Sequence, residues 1–427
     1  WCEPRPLQPG GIPIWFGVRL GPRNVARIAE LGSGWMPLVD DLSELRSGVD
    51  RLAAAFAEAG RDPAGLSVRC EAPAALDDRG RPDLKRTVEA LHRVVERWAG
   101  DLIGSWWKHD WLNRALTVGD ELAPLLGARS GEVAVHESTT VGLFQQVNVA
   151  LDLAPGRRVI AIDDDDFPTD RYVVEGIARL RDVEVRHGLD DLEGVDVVLR
   201  SLVDYRTAEV ADLVGETARA AAVGATTVWD LSHAAGVLEL DLPGAGVELA
   251  VGCTYKFLNG GPGAPAFVFV AESVHGRLTQ PIWGWFAQHD QFAMERPFDP
   301  RPGVGRMLNG TPPVLGLTAA REGIALSVEA GIGSIAEKAR ALTGFGIELA
   351  DQLGLPTSTP RDEARRGGHV AVHHHDARAL HARLGEHKVI VDYRDPDVLR
   401  FGLSPLTTSF TDVFDAFAVL AELVVDA

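Results

Sequence analysis

Lys256 is the residue from which a chemistry can first be read. It follows Tyr255 in "CTYKFLNGGPGAPAF" (253–267), ahead of an asparagine, three glycines and a proline. The apolar stretches on either side, "VELAVG" and "APAFVFVA", read as buried strands. Lysine is almost never buried without a partner, so one placed between two such strands has a specific task. Upstream, in "TTVWDLSHAAG" (226–236), Val228 and Trp229 finish another strand, with Asp230 at its C-terminal edge and His233 close behind. An amine and a carboxylate at neighbouring strand edges suit pyridoxal phosphate. The amine forms a Schiff base, and the carboxylate keeps the pyridine nitrogen protonated so that the ring accepts electrons. Taken alone, an Asp at a strand end is an ordinary cap or turn residue.

Two more stretches carry groups such a cofactor needs. "HESTTVGLF" (136–144) reads as a strand-to-helix turn with Ser138, Thr139 and Thr140, where hydroxyls and free N–H groups suit a phosphate. The plainer reading is an N-cap. "DDDDFPTD" (163–170) offers Phe167 as a stacking ring and Asp170 as a second carboxylate; it equally reads as a solvated acidic turn. The run "HHHD" (373–376) could ligate a metal, but a histidine-rich strand end is the reading adopted, and no metal site is assigned.

The elements that must position these residues follow from periodicity. Residues 1–85 alternate strand and helix as βαβαβ: "IPIWFGV", "GPRNVARIAELG", "GWMPLV", "SELRSGVDRLAAAFAEAG" and "LSVRCEA". That is far short of the roughly 250 residues of a full (β/α)8 barrel. "DDRGRPD" (77–83) reads as a linker. Long amphipathic helices and a second α/β alternation follow, implying an open, mostly parallel sheet with its ligand at the C-terminal strand edges. The strands "HVAVHHH", "KVIVDYR" and "VLRFGLS" close the chain as a smaller α/β domain. The expected division is 1–83, 84–315 and 316–427.

Composition bounds the function. With 427 residues, 46% hydrophobic, a net charge of −19 and a pI near 5.1, the chain can build a large core and is a poor nucleic-acid binder. No apolar run reaches the roughly 18 residues that span a bilayer. No signal peptide opens the chain, and Cys2, Cys70 and Cys253 are too few for a disulfide framework. A cytoplasmic enzyme is the expectation. The first residue is Trp1, so the chain reads as starting inside a longer frame.

Seven motifs in order, "FPTD", "VDYRT" (203–207), "WDLSHAAG", "YKFLNGGPGAP", "GWF" (284–286), "GTPPV" (310–314) and "RFGLSPL" (400–406), resemble the kynureninase family over residues 84–427. The resemblance implies a fold-type I pyridoxal-phosphate enzyme that cleaves the Cβ–Cγ bond of L-kynurenine or 3-hydroxykynurenine, in tryptophan catabolism and NAD biosynthesis. It makes Lys256 the Schiff-base lysine, Tyr255 a phosphate ligand and proton donor, Asp230 the partner of the pyridine nitrogen, and places His233 beside the ring. Thr139 and Thr140 match the phosphate turn, Phe167 the stacking ring, Asp170 a second cofactor carboxylate, and Ser201 a phosphate-side hydroxyl. Trp285 and Thr311 match residues sent across a homodimer interface to a composite site. Arg400 matches the residue that takes the substrate α-carboxylate with its bidentate fork, and Trp106 contacts the aryl group.

The departures are specific. Gly142 stands where the family has Asn, Leu202 where bacterial members have His, and Ala208 where they have Gly. Nothing like the family's opening "YLDGNSLG" precedes residue 84. A lyase for a different amino acid, or a non-catalytic relic, therefore stand beside the main reading. Residues 1–83, through "PIWFG" and "AEAGRDPAGLSV", resemble the C-terminal part of luciferase-like flavin or F420 monooxygenases. Two to three βα units imply a partial barrel that serves as a remnant or packing element.

Overall fold

The structure is a computed structural model and describes residues 15–18, 20–37, 42–63, 66–68, 75–76, 82–153, 156 and 158–425. Cys2, Cys70 and residues 77–81 of the expected linker lie outside the described residues. The chain divides into two compact units, 1–102 and 103–427.

The first unit opens with β1 (Trp15–Val18), α1 (Pro22–Leu31), β2 (Gly34–Pro37), α2 (Leu42–Glu58) and β3 (Ser67–Val68). Its strands run parallel in the order β1-β2-β3. Pro22 opens α1, where the missing N–H costs nothing. Ile28, Ala29, Trp35, Leu52 and Phe56 form the core. Gly48 is a packing requirement, because a Cβ there would lie 2.5 Å from the Trp35 ring. A short antiparallel pair, β4 (Ala75–Leu76) and β5 (Pro82–Asp83), leads into α3 (Leu84–Asp101). The expected boundary at 83/84 and the compact division after Leu102 differ by this helix.

The second unit begins with α4 (Ser105–Lys108) and α5 (Arg114–Leu122). Seven strands then build one sheet: β6 (Val133–Val135), β7 (Val159–Ile162), β8 (Glu184–His187), β9 (Val197–Ser201), β10 (Thr226–Asp230), β11 (Leu249–Cys253) and β12 (Ala266–Val270). Their order is β6-β12-β11-β10-β9-β7-β8, and β12 alone runs against the rest. The intervening helices are α6 (Thr139–Leu153), α7 (Pro168–Arg181) and α8 (Leu213–Ala222), and the short α9 (Glu272–His275) follows β12. Strands β11 and β12 are buried at every position, as expected for a sheet covered on both faces.

Two long helices, α10 (Val314–Ala330) and α11 (Ile332–Gln352), lead to the smaller layer. The expected boundary at 315/316 falls inside α10, whose Leu317 and Ile324 belong to the large core. The last elements are β13 (His369–His373), α12 (Ala377–Glu386), β14 (Asp392–Arg394), β15 (Val398–Gly402) and α13 (Phe410–Val425). The strand expected over "KVIVDYR" keeps only its end. Lys388 adopts a left-handed φ of 63° and Ile390 is 85% exposed, so the apolar part of that run forms no ladder. The small sheet is antiparallel in the order β13-β15-β14. Period-2 alternation sends Val370, Val372, Leu399 and Phe401 into the small core. Its other face carries His369, Arg400, Asp392 and Arg394.

Candidate active site

The C-terminal strand edges converge where the sequence placed the chemistry. Asp230 ends β10 in register with Ser201 at the end of β9, and both are buried. The Ser232 N–H donates to Asp230 Oδ1 at 2.8 Å, which fixes the carboxylate. Beyond β11 the chain turns through Thr254, Tyr255 and Lys256. Thr254 closes that turn by donating its hydroxyl to the Pro265 carbonyl at 2.5 Å and accepting from the Gly260 N–H at 2.8 Å. Gly261 and Gly263 hold φ of +77° and +82°, left-handed conformations that side chains disfavour. The glycines let the backbone fold tightly behind a half-buried Lys256. Its Nζ lies 5.9 Å from the Phe167 ring and 5.6 Å from the Tyr255 ring. Phe167 meets Tyr205 edge to face at 5.2 Å.

The acidic turn 163–170 is partly buried. Asp166 and Asp170 are both buried, and Asp166 Oδ1 accepts the Ser201 N–H at 3.1 Å. Burial pushes the Asp166 carboxyl up to about 7, against the pull of Arg200. Burial raises Asp170 further above its usual range, reinforced by Asp230 and Asp166 and opposed by Lys256. Asp170 also hydrogen-bonds Asp230, and that bond adds to the upward shift. Oδ2 of Asp166 and Oδ2 of Asp170 have no hydrogen-bond partner.

Cations and neutral imidazoles complete the wall. Burial, then Lys256, holds His233 well below its usual range. His369 falls to about 3 by burial and the neighbouring Arg400, and the two rings lie 6.1 Å apart. His136, at the end of β6, falls to about 4 by burial alone, and neither ring nitrogen has a partner. Burial pushes the Tyr255 hydroxyl up to about 12, so it carries its proton at neutral pH. Arg400 donates Nη1 to the Tyr205 carbonyl and Nη2 to Asp392. Burial is the main influence lowering its pKa, and Asp392 opposes it.

Lys256, Tyr255, Asp230, Asp170, His233, Phe167, Ser201 and Arg400 thus share one edge of the molecule's large sheet and the facing small sheet. Thr139 and Thr140 open α6, where the Val141 N–H reaches Ser138 Oγ at 3.4 Å. That helix start lies over β11 and β12, because a Cβ on Gly142 would meet Val251 at 2.8 Å and Val268 at 3.2 Å. Trp106, Trp285 and Thr311 form a separate group. Trp106 and Trp285 both pack on Phe286, at 6.1 and 4.8 Å, while Trp285 is 42% exposed and Thr311 is exposed. Leu202 is core, and Ala208 holds a left-handed φ of 67°, the conformation the family's glycine suits. The run 373–376 ends β13, with His373 Nδ1 3.0 Å from Asp397 Oδ2.

Sequence reasoning missed Asp166, Tyr205, His369 and Asp392. Tyr205 lay in a quoted motif and Asp166 in the acidic run, but neither local pattern announces burial. His369 and Asp392 depend on strand register, which no local signal sets.

Residues 335–420 match the kynureninase C-terminal domain family and residues 2–115 the luciferase-like monooxygenase family. A kynureninase of Deinococcus radiodurans is 44% identical over 364 residues, covering 81% of this chain and 88% of the relative. A kynureninase of Pseudomonas fluorescens is 39% identical, covering 79% of this chain and 86% of the relative. Among solved structures, an apo cysteine desulfurase of Thermococcus onnurineus aligns with a TM-score of 0.70 at 17% identity, over 84% of this chain and 97% of its own. An alanine–glyoxylate aminotransferase of Nostoc aligns at 0.61 and 15%, over 78% and 92%. These structures share the fold-type I architecture of a large mixed sheet and a small α/β layer.

Proposed function

The chain belongs to the kynureninase family, and we propose that it hydrolyses the Cβ–Cγ bond of L-kynurenine or 3-hydroxykynurenine. The products are the corresponding anthranilate and L-alanine, and the cofactor is pyridoxal 5′-phosphate. The observation that carries the reading is the convergence of Lys256 and the Asp230–Asp170 pair at the strand ends of the large sheet with Arg400 on the small sheet. The reaction is a step of tryptophan catabolism toward NAD, in the cytoplasm.

The residues present fit the cofactor. Asp230 is buried at the end of β10 with Asp170 hydrogen-bonded beside it, a buried pair of carboxyl groups for which a pyridinium N–H is a fitting partner. Lys256 would hold it covalently, and the first turn of α6 with Thr139 and Thr140, together with Ser201 and Tyr255, would hold its phosphate. Phe167 and His233 would flank the ring. Bound there, the cofactor acts as an electron sink for the substrate α-carbon. Lys256, once free, moves the α-proton. Tyr255 keeps its proton available for transfer to the β-carbon that stays with the amino-acid fragment when the Cβ–Cγ bond breaks. Arg400 orients the amino acid by its carboxylate, with Asp392 and the Tyr205 carbonyl holding the guanidinium in place.

Trp285 and Thr311 serve the site of a second copy of the chain. Both are exposed, and Trp285 lies in a stretch pinned to Asn309, whose carbonyl accepts from the Phe286 N–H at 3.1 Å. Mixing a Lys256→Ala chain with a Trp285→Ala chain should restore activity that neither has alone.

Borohydride should fix the cofactor to the peptide containing Lys256 and erase the visible absorbance. Lys256→Ala should lose at least about 10³-fold in kynurenine cleavage. Label on another peptide would overturn the lysine assignment. A cofactor-loaded protein that leaves kynurenine intact would overturn the substrate.

A further inference from the structure

Arg400 was expected to grip the substrate carboxylate with both arms of its guanidinium fork. The structure already spends one N–H of each arm inside the chain: Nη1 donates to the Tyr205 carbonyl and Nη2 to Asp392. Of the three N–H groups left, Nε–H is buried and has no hydrogen-bond partner. Arg366 shows the contrast, being a buried arginine held for structure alone. Its Nε donates to Thr343 Oγ1 at 2.9 Å, and its other nitrogens donate to the carbonyls of Pro360, Arg361 and Arg340. A buried N–H left unpaired is costly, so the one on Arg400 calls for an acceptor from outside the chain.

A second unpaired nitrogen stands beside it. His369 is 4% exposed, and its Nε2 also has no partner. Antiparallel register pairs His369 with Gly402 and Ala371 with Arg400, so His369 and Arg400 project from the same face as diagonal neighbours. The opposite face is the apolar small core. The His369 ring also lies 6.1 Å from that of His233, the residue three beyond Asp230. The ring also hydrogen-bonds the Arg206 backbone and feels the charges of Asp392 and Lys256. Arg394, whose Nε is unpaired as well, stands on β14, two strands from His369, with Nη2 on Asp392 at 2.8 Å.

We propose that His369 is the second arm of the substrate-carboxylate site, its Nε2–H and the Nε–H of Arg400 each donating to one oxygen of the bound amino acid. This rests on the reading of the chain as an amino-acid-cleaving enzyme. A neutral imidazole places its single proton on either nitrogen, and a carboxylate at Nε2 selects the Nε2–H form. The arrangement sets specificity for free α-carboxylates. An α-amide or a decarboxylated amine offers at most one good acceptor where two donors wait. It also lets the site hold one guanidinium against Asp392 without losing bidentate recognition.

The test uses the full-length, cofactor-loaded protein with His369→Leu and His369→Gln. The leucine variant removes the donor, while the glutamine amide presents an N–H at similar reach. His369→Leu should raise KM for L-kynurenine about ten-fold, as expected for one hydrogen bond to a charged group. It should leave kcat and the cofactor's visible band nearly unchanged, and His369→Gln should recover most of the loss. The decarboxylated kynurenine amine should bind parent and leucine variant alike. An unchanged KM in the leucine variant, an equal loss in both variants, or a loss for the amine as large as for the amino acid would overturn the proposal. L-Alanine, titrated against the cofactor band, separates the two readings. If kynurenine is not cleaved yet L-alanine binds about ten-fold more weakly to His369→Leu, the carboxylate site stands and the substrate assignment falls.

Discussion

The two units of this chain begin from the same alternation of strand and helix and spend their interiors differently. Among the described residues of the first unit, every buried side chain is apolar: Ile28, Ala29, Trp35, Leu52, Phe56 and Val94. Even its Arg61 stays at the rim, with Nη1 on the Ala29 carbonyl at 2.9 Å and the guanidinium 4.3 Å from the Phe56 ring. The second unit buries Asp166, Asp170, Asp230, His136, His369 and Arg400. Buried charge is expensive unless it is paired or its protonation shifts, and here several of these groups shift. The difference separates what folds a βα layer from what makes it reactive. Apolar periodicity does the first, and polar groups retained in the interior at a cost to stability do the second.

The largest effect that would sharpen this contrast lies in the second unit. Asp230→Ala should lower kcat about 10²–10³-fold by removing charge placed where the reaction develops it. The thermal transition of the first unit should not move. Turnover near the parent rate would mean that Asp170 or another carboxylate holds the ring nitrogen.

The converse change belongs to the first unit. Trp35→Ala should destabilise it by about 3–5 kcal/mol through an unfilled cavity. The cofactor band and kcat/KM should stay within about two-fold, because the first unit has a hydrophobic core of its own. If the cofactor band disappeared together with the first unit's stability, the two cores would not be independent.

The smallest effect is a pH dependence at Asp166, whose folded value of about 7 lies above the ordinary 3.8. Between about pH 4 and 7 the folded chain keeps a proton that the unfolded chain has released, so this group's contribution to stability falls as pH rises through that window. Asp166→Asn keeps an oxygen for the Ser201 N–H and removes the titration. Its advantage in Tm over the parent should therefore widen by a few degrees, roughly, between pH 5 and pH 8. His136 and His369, held low, act in the opposite sense below about pH 6.5. For that reason the comparison is made between variant and parent at each pH. A gap that is constant with pH would mean that Asp166 ionises normally.

Much of this molecule follows from residue order. The hydrophobic alternation fixes the βα layers, because a strand buried on both faces must be apolar throughout, as β11 and β12 are. The glycines after Lys256 announce a turn that only small residues can make, and the motifs around Asp230, Lys256 and Arg400 identify the family. Tertiary structure decided which polar residues lose their water. Asp166 and Asp165 are neighbours in one acidic run, yet Asp166 is buried and Asp165 exposed, because a single turn of backbone aims them in opposite directions. Likewise, "GGHVAVHHH" offers four histidines of similar surroundings in the sequence. Only the register of β13 against β15 sets His369 beside Arg400 and leaves His375 on the outside. Desolvation and strand register are sums over contacts distant in the chain, and no local pattern contains them.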